Sequence, residues 1–157
     1  MLAMNNKFFI VLLATAIIVG SWVFFATNSS YQEALQSKFY YEIGNYKKAH
    51  ELAQKAYEKD IYNKMANTVM KQSQIALKYT KYIEEANEYL EQILKISKSS
   101  EVSKVDTNRI RIMCEIVIEG YDKLKPSTLT PKDIQEEARN MRDKFVKLKE
   151  ELFKDEI

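Results

Sequence analysis

The sequence is poor in the residues that build catalytic centres, metal sites and loop-rich folds. It has one cysteine, Cys114, and one histidine, His50, among 157 residues. An internal disulfide framework is therefore excluded, and a zinc cluster would lack ligands. Three glycines and two prolines leave little material for phosphate-binding loops or the turns of a β-sandwich. We expect no catalytic site, no metal site and no cofactor.

An excess of charge of one sign is also missing. The chain carries 24 Lys+Arg against 22 Asp+Glu, and Lys7 is the single charge before Glu33. This balance leaves no excess of positive charge that would attract nucleic acid, so we predict no nucleic-acid partner. The abundant residues are Lys, Glu, Ala, Leu, Ile and Tyr, a composition typical of helices. The composition therefore predicts an all-α fold.

Residues 8–26 form a long apolar run, FFIVLLATAIIVGSWVFFA, without a charge. A helix of this length spans about 28 Å, close to the hydrocarbon thickness of a bilayer. We predict a transmembrane signal anchor, with Trp22 near its interfacial end. Lys7 precedes the run and the next basic residue is Lys38. By the positive-inside rule, residues 1–7 form a cytoplasmic tail and the rest of the chain lies across the membrane.

Two other interpretations of this segment stay open. A cleaved signal peptide needs small residues before the cut. Phe24 fits badly before a cut at Thr27, and a cut at Trp22 leaves WVFFA on the mature N-terminus. A buried core helix is disfavoured by the length of the run and its lack of polar interruptions.

Helical periodicity continues through the rest of the chain, and no segment has the pattern of a hairpin of strands. The spacing of apolar residues predicts about six helices after the anchor. Two of them meet at Thr80, which we expect to cap a new helix. Ser103 and Asp106 form a capping box. Thr130 is the predicted cap of the last helix, before Pro131. The predicted helices are 31–42, 46–59, 64–78, 80–96, one from Ser103 to 124, and 131–154.

Residues 40–60, YYEIGNYKKAHELAQKAYEKD, resemble a tetratricopeptide repeat. In that family a short glycine turn reverses the chain and small residues let two helices pack closely. Gly44 would take the turn, Tyr46 would wedge between the helices, and Ala49 and Ala56 would be the contact positions. A plain αα-hairpin with a glycine turn is the alternative.

The resemblance implies a domain of antiparallel helical hairpins over residues 31–124. Residues 125–130 would be a linker, and 131–154 a C-terminal packing or interface helix. Repeats of this family hold proteins in a concave groove lined by their first helices. By the resemblance, the groove residues are Tyr31, Ala34, Lys38, Tyr41, Glu42, Met65, Thr68, Gln72 and Ile75.

The C-terminal helix offers a second candidate surface, an apolar stripe that includes Met141, Phe145 and Leu152. The apolar residues of this stripe are spaced by three and four positions, as in a heptad repeat, but the repeat is too short for an independent coiled coil. The stripe either packs on its own domain or docks with another protein, including a second copy of the chain. Cys114 lies in the most apolar stretch and is predicted to be core, with an intermolecular disulfide as the alternative. His50 is predicted to be an ordinary helix-surface residue.

These features and the resemblance together imply a single-pass protein of the bacterial inner membrane with a periplasmic helical domain. We expect a non-catalytic scaffold or adaptor that binds protein partners in an envelope machine, such as a flagellar motor. The alternatives are an ancillary, chaperone-type subunit of the secretion machinery, a membrane sensor module, and an enzyme with a cryptic site.

Overall fold

The computed structural model describes residues 6–99, 102–125 and 127–154, and these residues contain six helices and no strand. The all-α prediction is confirmed. The chain forms two compact units, one ending at Ser73 and one beginning at Gln74. The helices are α1 (Asn6–Thr27), α2 (Ser29–Glu42), α3 (Tyr46–Lys59), α4 (Lys64–Ser97), α5 (Lys104–Asp122) and α6 (Lys132–Leu152).

Residues 7–27 of helix α1 are mostly apolar, and none of them is buried. Over Lys7–Thr27 the helix has a mean hydropathy of 2.5, and none of its most apolar stretch of 18 residues is buried. The helix is long and apolar enough to cross a membrane, and its lack of burial argues against a core helix. Most of the predicted cytoplasmic tail, residues 1–5, lies outside the described residues.

One residue separates α1 from α2. Asn28 has φ −95° and ψ 93°, so the helical path is broken there, and its side chain caps α2 by accepting from the backbone of Tyr31. The amide of Gln32 reaches back and donates to the carbonyls of Phe25 and Ala26, at 3.0 and 2.9 Å. Helix α2 therefore begins directly at the end of α1 and is hydrogen-bonded to it.

A glycine turn joins α2 to α3. Gly44 has φ +78°, and the backbone of Asn45 donates to the carbonyl of Tyr40 at 2.9 Å. A Cβ at Gly44 would meet no atom within 4 Å, so the turn needs glycine for its backbone conformation and not for space. The Asn45 side chain then caps α3 by accepting from the backbone of Lys48.

Small residues form the contacts among α2, α3 and α4 in the first unit. Ala34, Ala56 and Ala66 pack together with no exposed surface, one from each helix. Ala49 and Ala53 pack against Val69 in a second cluster, with tyrosine and methionine side chains around them. Because alanine side chains are short, the helix backbones can approach closely at both clusters.

A buried polar relay lies beside the first alanine cluster. Asn63 is fully buried and donates to the hydroxyl of Ser30 at 2.9 Å. Ser30 donates in turn to the carbonyl of Ala56 at 2.8 Å. The Asn63 side-chain oxygen accepts from the backbone of Ala66 at 3.1 Å, which caps the start of α4. One side chain thus connects the first turns of α2 and α4 with the last turn of α3.

The prediction of a helix break at Thr80 is wrong. Helix α4 runs without interruption from Lys64 to Ser97, and the Thr80 hydroxyl donates to the carbonyl of Leu77 within it. No glycine or proline stands near position 80 to end the helix. Tyr79, Tyr82 and Ile83 are buried at this point, so packing also favours the continuous helix.

The second unit contains α5 and α6. The predicted cap at Ser103 is confirmed, since its hydroxyl accepts from the backbone of Asp106 at 3.1 Å and donates to the Asp106 carboxylate at 2.8 Å. The prediction that Thr130 caps α6 is wrong. Pro131 occupies the cap position and makes no side-chain hydrogen bond there, whereas Thr130 is buried and its carbonyl accepts from Gln135. Helix α6 is also shorter than the predicted 131–154.

The relay predicts a stability difference between two capping asparagines. Asn45→Ala removes an exposed cap and should lower the free energy of unfolding by about 1 kcal/mol. Asn63→Ala removes a buried cap and also leaves the Ser30 hydroxyl short of a partner. The free energy of unfolding should therefore fall by about 2–3 kcal/mol in Asn63→Ala. Urea unfolding of the full chain in mild detergent, followed by circular dichroism, measures both, and equal losses would show that the relay adds no stability.

Candidate functional site

A groove of about 400 Å³ opens in the first unit between α2 and α4. We call it the α2–α4 groove. It is lined by Lys38, Tyr41, Glu42, Lys64, Met65, Thr68, Val69 and Gln72. The structure thus brings together six of the nine residues that the sequence resemblance predicted for a binding groove. Their role in binding stays a prediction.

The α2–α4 groove has an apolar floor and a charged rim. Val69 is buried, and Met65 and Tyr41 are half-buried against the second alanine cluster. The rim consists of exposed Lys38, Glu42 and Lys64. An apolar floor with polar groups at its edge is the usual composition of a surface that takes up a side chain of a partner.

Tyr41 also contributes to the hairpin itself. Its ring meets that of Tyr46 edge-on, with centroids 5.4 Å apart, and Tyr46 is buried between α2 and α3. Such an aromatic pair stabilises a fold by about 0.5–1.5 kcal/mol beyond the area buried. Replacing Tyr41 would therefore disturb the fold as well as the groove, and the exposed rim residues are the cleaner positions for testing binding.

Three predicted groove residues lie elsewhere. The ring of Tyr31 packs on that of Phe24 at the end of α1, with centroids 5.6 Å apart. Ala34 is part of the first alanine cluster. Ile75 belongs to the second unit and does not line the groove. Lys64 and Val69 line it but were not predicted, although both lie one helical turn from predicted residues of α4.

His50 is not the ordinary surface residue that the sequence predicted. It is half-buried on α3, and its Nδ1 lies 3.1 Å from the carbonyl of Met70 and 3.3 Å from the Ser73 hydroxyl on α4. Because the carbonyl can only accept, Nδ1 must carry the proton in this contact. His50 thus connects two helices of the first unit.

The C-terminal stripe is largely used within the second unit. Met141 and Phe145 are buried, and only Leu152, at 52% exposure, remains accessible from the predicted interface set. The neighbouring Phe153 is buried, with the Arg111 guanidinium 4.5 Å above its ring. Of the two alternatives for this stripe, the structure shows packing on the chain's own α5. A contact through Leu152 stays a prediction.

Buried titratable groups in the second unit have shifted pKa values. Cys114 is fully buried, and loss of hydration raises the pKa of its thiol to about 11, although Lys149 opposes the shift. Burial, followed by the nearby Tyr121, raises the pKa of Tyr82 to about 12. A thiol with so high a pKa stays protonated at neutral pH, where it is a poor nucleophile. Cys114 therefore behaves as a core residue.

Within residues 6–99, 102–125 and 127–154, no group of three His, Cys, Asp or Glu side chains is placed to hold a metal ion. A pair of opposite charges connects α5 to α6. Lys149 donates to Glu115 at 2.8 Å, and this bond lowers the pKa of the Glu115 carboxyl.

Comparison of the chain with protein-family models, curated proteins and solved structures gives no match. The likeness to tetratricopeptide repeats therefore rests on residues 40–60 of this chain, and the functional argument rests on the geometry of its own residues.

The buried thiol makes stability depend on alkaline pH. The thiol of the unfolded chain ionises near pH 9, whereas the folded thiol keeps its proton to about pH 11. Between these values rising pH therefore favours the unfolded chain. The free energy of unfolding should fall more steeply from pH 8 to 10.5 in the unaltered protein than in Cys114→Ala. Parallel pH dependences would show that Cys114 is accessible to solvent.

Proposed function

We propose that this protein is a membrane-anchored, non-catalytic scaffold or adaptor that holds a protein partner in the α2–α4 groove. The observation that carries the proposal is the groove itself, with an apolar floor at Met65 and Val69 and a rim of Lys38, Glu42 and Lys64. Its volume of about 400 Å³ accommodates one or two large side chains. The partner would be a peptide segment with an apolar anchor and polar flanks.

Helix α1 supplies the second part of the proposal. An anchor confines the groove to a thin layer beside the membrane, which raises its effective concentration for partners in the same membrane. Lys7 precedes the apolar run and no other basic residue follows it before Lys38. This asymmetry supports a cytoplasmic N-terminus and a helical domain on the opposite, periplasmic face of a bacterial inner membrane. An envelope machine such as a flagellar motor is the setting we propose.

Site-specific photocrosslinking in cells tests the groove. A photoreactive residue at Thr68, which is exposed in the groove, should form a discrete adduct with the partner. The same residue at Gln54, exposed on α3, should not. Lys38→Glu reverses a rim charge and should remove most of the Thr68 adduct, whereas Lys47→Glu, an equally exposed change on α3, should leave it intact. Adducts at Gln54 as abundant as those at Thr68 would contradict the groove.

Reporter fusions test the orientation. A reporter that is active only in the periplasm, fused after residue 157, should be active, and one that is active only in the cytoplasm should be silent. The mature N-terminus should precede Lys7, since the anchor is retained. A mature chain beginning at Thr27 or Trp22 would show that residues 8–26 are a signal peptide.

A further inference from the structure

Three large apolar side chains are exposed along one face of α2 and its C-cap, with Leu35 and Phe39 in the helix and Ile43 directly after it. Leu35, Phe39 and Ile43 are 48%, 60% and 58% exposed. They recur every four residues, so they form a continuous stripe along the helix, which we call the outer stripe. Ser37 is fully buried, and Phe39 follows it by two residues, about 200° around the helix. The outer stripe therefore faces away from the core of the first unit.

Gln32 shows which way this face is turned. It lies three residues before Leu35 and seven before Phe39, on the same side of α2. Its side-chain amide donates to the carbonyls of Phe25 and Ala26 in the last turn of α1. The side of α2 that carries Gln32 and the outer stripe is therefore the side turned toward the end of α1.

The end of α1 is where an anchor would leave the hydrocarbon region. Trp22 is 73% exposed in its last two turns, a position typical of an aromatic residue at the membrane interface. Helix α2 begins two residues after α1 ends and is about 21 Å long. Its first turn, which is hydrogen-bonded to the last turn of α1 through Gln32, thus lies close to the membrane surface if α1 is the anchor. An apolar face that is turned toward that surface and leaves three large side chains uncovered has phospholipid as its nearest partner.

We propose that the outer stripe lies in the lipid headgroup region, so that α2 is a second membrane contact beside the anchor. This inference rests on the proposed membrane anchoring by α1. Its consequence is orientation, because a chain held to a bilayer at one helix can pivot at Asn28, whereas one held along two helices cannot. The α2–α4 groove, on another side of α2, would then face a defined direction.

Fluorescence quenching in vesicles tests the proposal on the full chain. An environment-sensitive dye is attached through Gln36→Cys, beside the outer stripe but outside it. The control is Gln54→Cys on the exposed side of α3. Cys114 can remain, because it is buried and its thiol stays protonated. In phosphatidylcholine vesicles that contain lipids with a nitroxide near the headgroup, we expect quenching of about half of the Gln36 signal and little of the Gln54 signal.

A pair of triple variants checks that the apolar side chains cause the contact. Changing Leu35, Phe39 and Ile43 to glutamine should reduce quenching at position 36 to the level at position 54. The matched control changes three exposed apolar residues of α5, Val105, Ile112 and Ile116, to glutamine and should leave the quenching unchanged. All six positions are exposed, so both proteins should keep their helical circular dichroism.

The possible outcomes are distinguishable. Quenching of Trp22 by the same lipids reports insertion of α1 independently. If Trp22 is quenched and the dye at position 36 is not, the outer stripe does not contact lipid and the anchor stands. If that dye is shielded from aqueous iodide but not quenched by lipid, a second copy of the chain covers the stripe and the proposal is wrong. If Trp22 itself is not quenched, both the anchor and the lipid contact are wrong.

Discussion

The Asn63 side chain is fully buried, and both ends of its amide are hydrogen-bonded. An amide in an apolar environment costs several kcal/mol when it lacks partners, so its position is specified by the groups that it bonds. Those groups are the Ser30 hydroxyl at the start of α2 and the backbone of Ala66 at the start of α4. Because Ser30 also bonds the Ala56 carbonyl, any shift of one helix along another breaks a buried hydrogen bond.

The small residues and the relay depend on each other. Ala34, Ala56 and Ala66 bring three backbones close together, and close backbones leave no room for water to satisfy polar atoms between them. The relay provides protein partners where water is excluded. Alanine contacts alone tolerate sliding, since a methyl group has no directional preference, whereas the relay has only one register. That register places Tyr41 and Met65 beside each other in the α2–α4 groove.

Local chemistry was sufficient to predict some elements from the sequence. Gly44 lies in a turn with positive φ, and Ser103 caps the start of α5. Thr80 and Thr130 show the limit of such reasoning. No helix begins at Thr80, because burial of residues such as Tyr79 and Tyr82 favours a continuous α4. At Thr130 a helix does begin nearby, but the following Pro131 takes the cap position. The role of Asn63 could not be predicted from local sequence, since its partner Ser30 lies 33 positions away.

The residues of the α2–α4 groove could be predicted in part from local sequence patterns. Its α2 and α4 residues follow helical spacing, so a repeat resemblance over 40–60 was enough to place most of them. Tyr31 was misplaced because the resemblance contains no information about α1, and the ring of Phe24 takes up that side chain. The C-terminal stripe had two possible partners by sequence alone, and only the packing of α6 on α5 distinguishes them.

The short path from α1 to the groove restricts what can bind there. Lys38 lies nine residues into α2, which is about 14 Å along the helix from its start. Gln72, at the far end of the groove on α4, is eight residues from Lys64, or about 12 Å. Asn63 fixes the starts of these two helices side by side. If α1 is the anchor, the groove then begins and ends within roughly one helix length of the bilayer. A peptide segment that emerges from the same membrane would reach this groove without a long linker, which is why we propose a membrane-proximal peptide as the occupant.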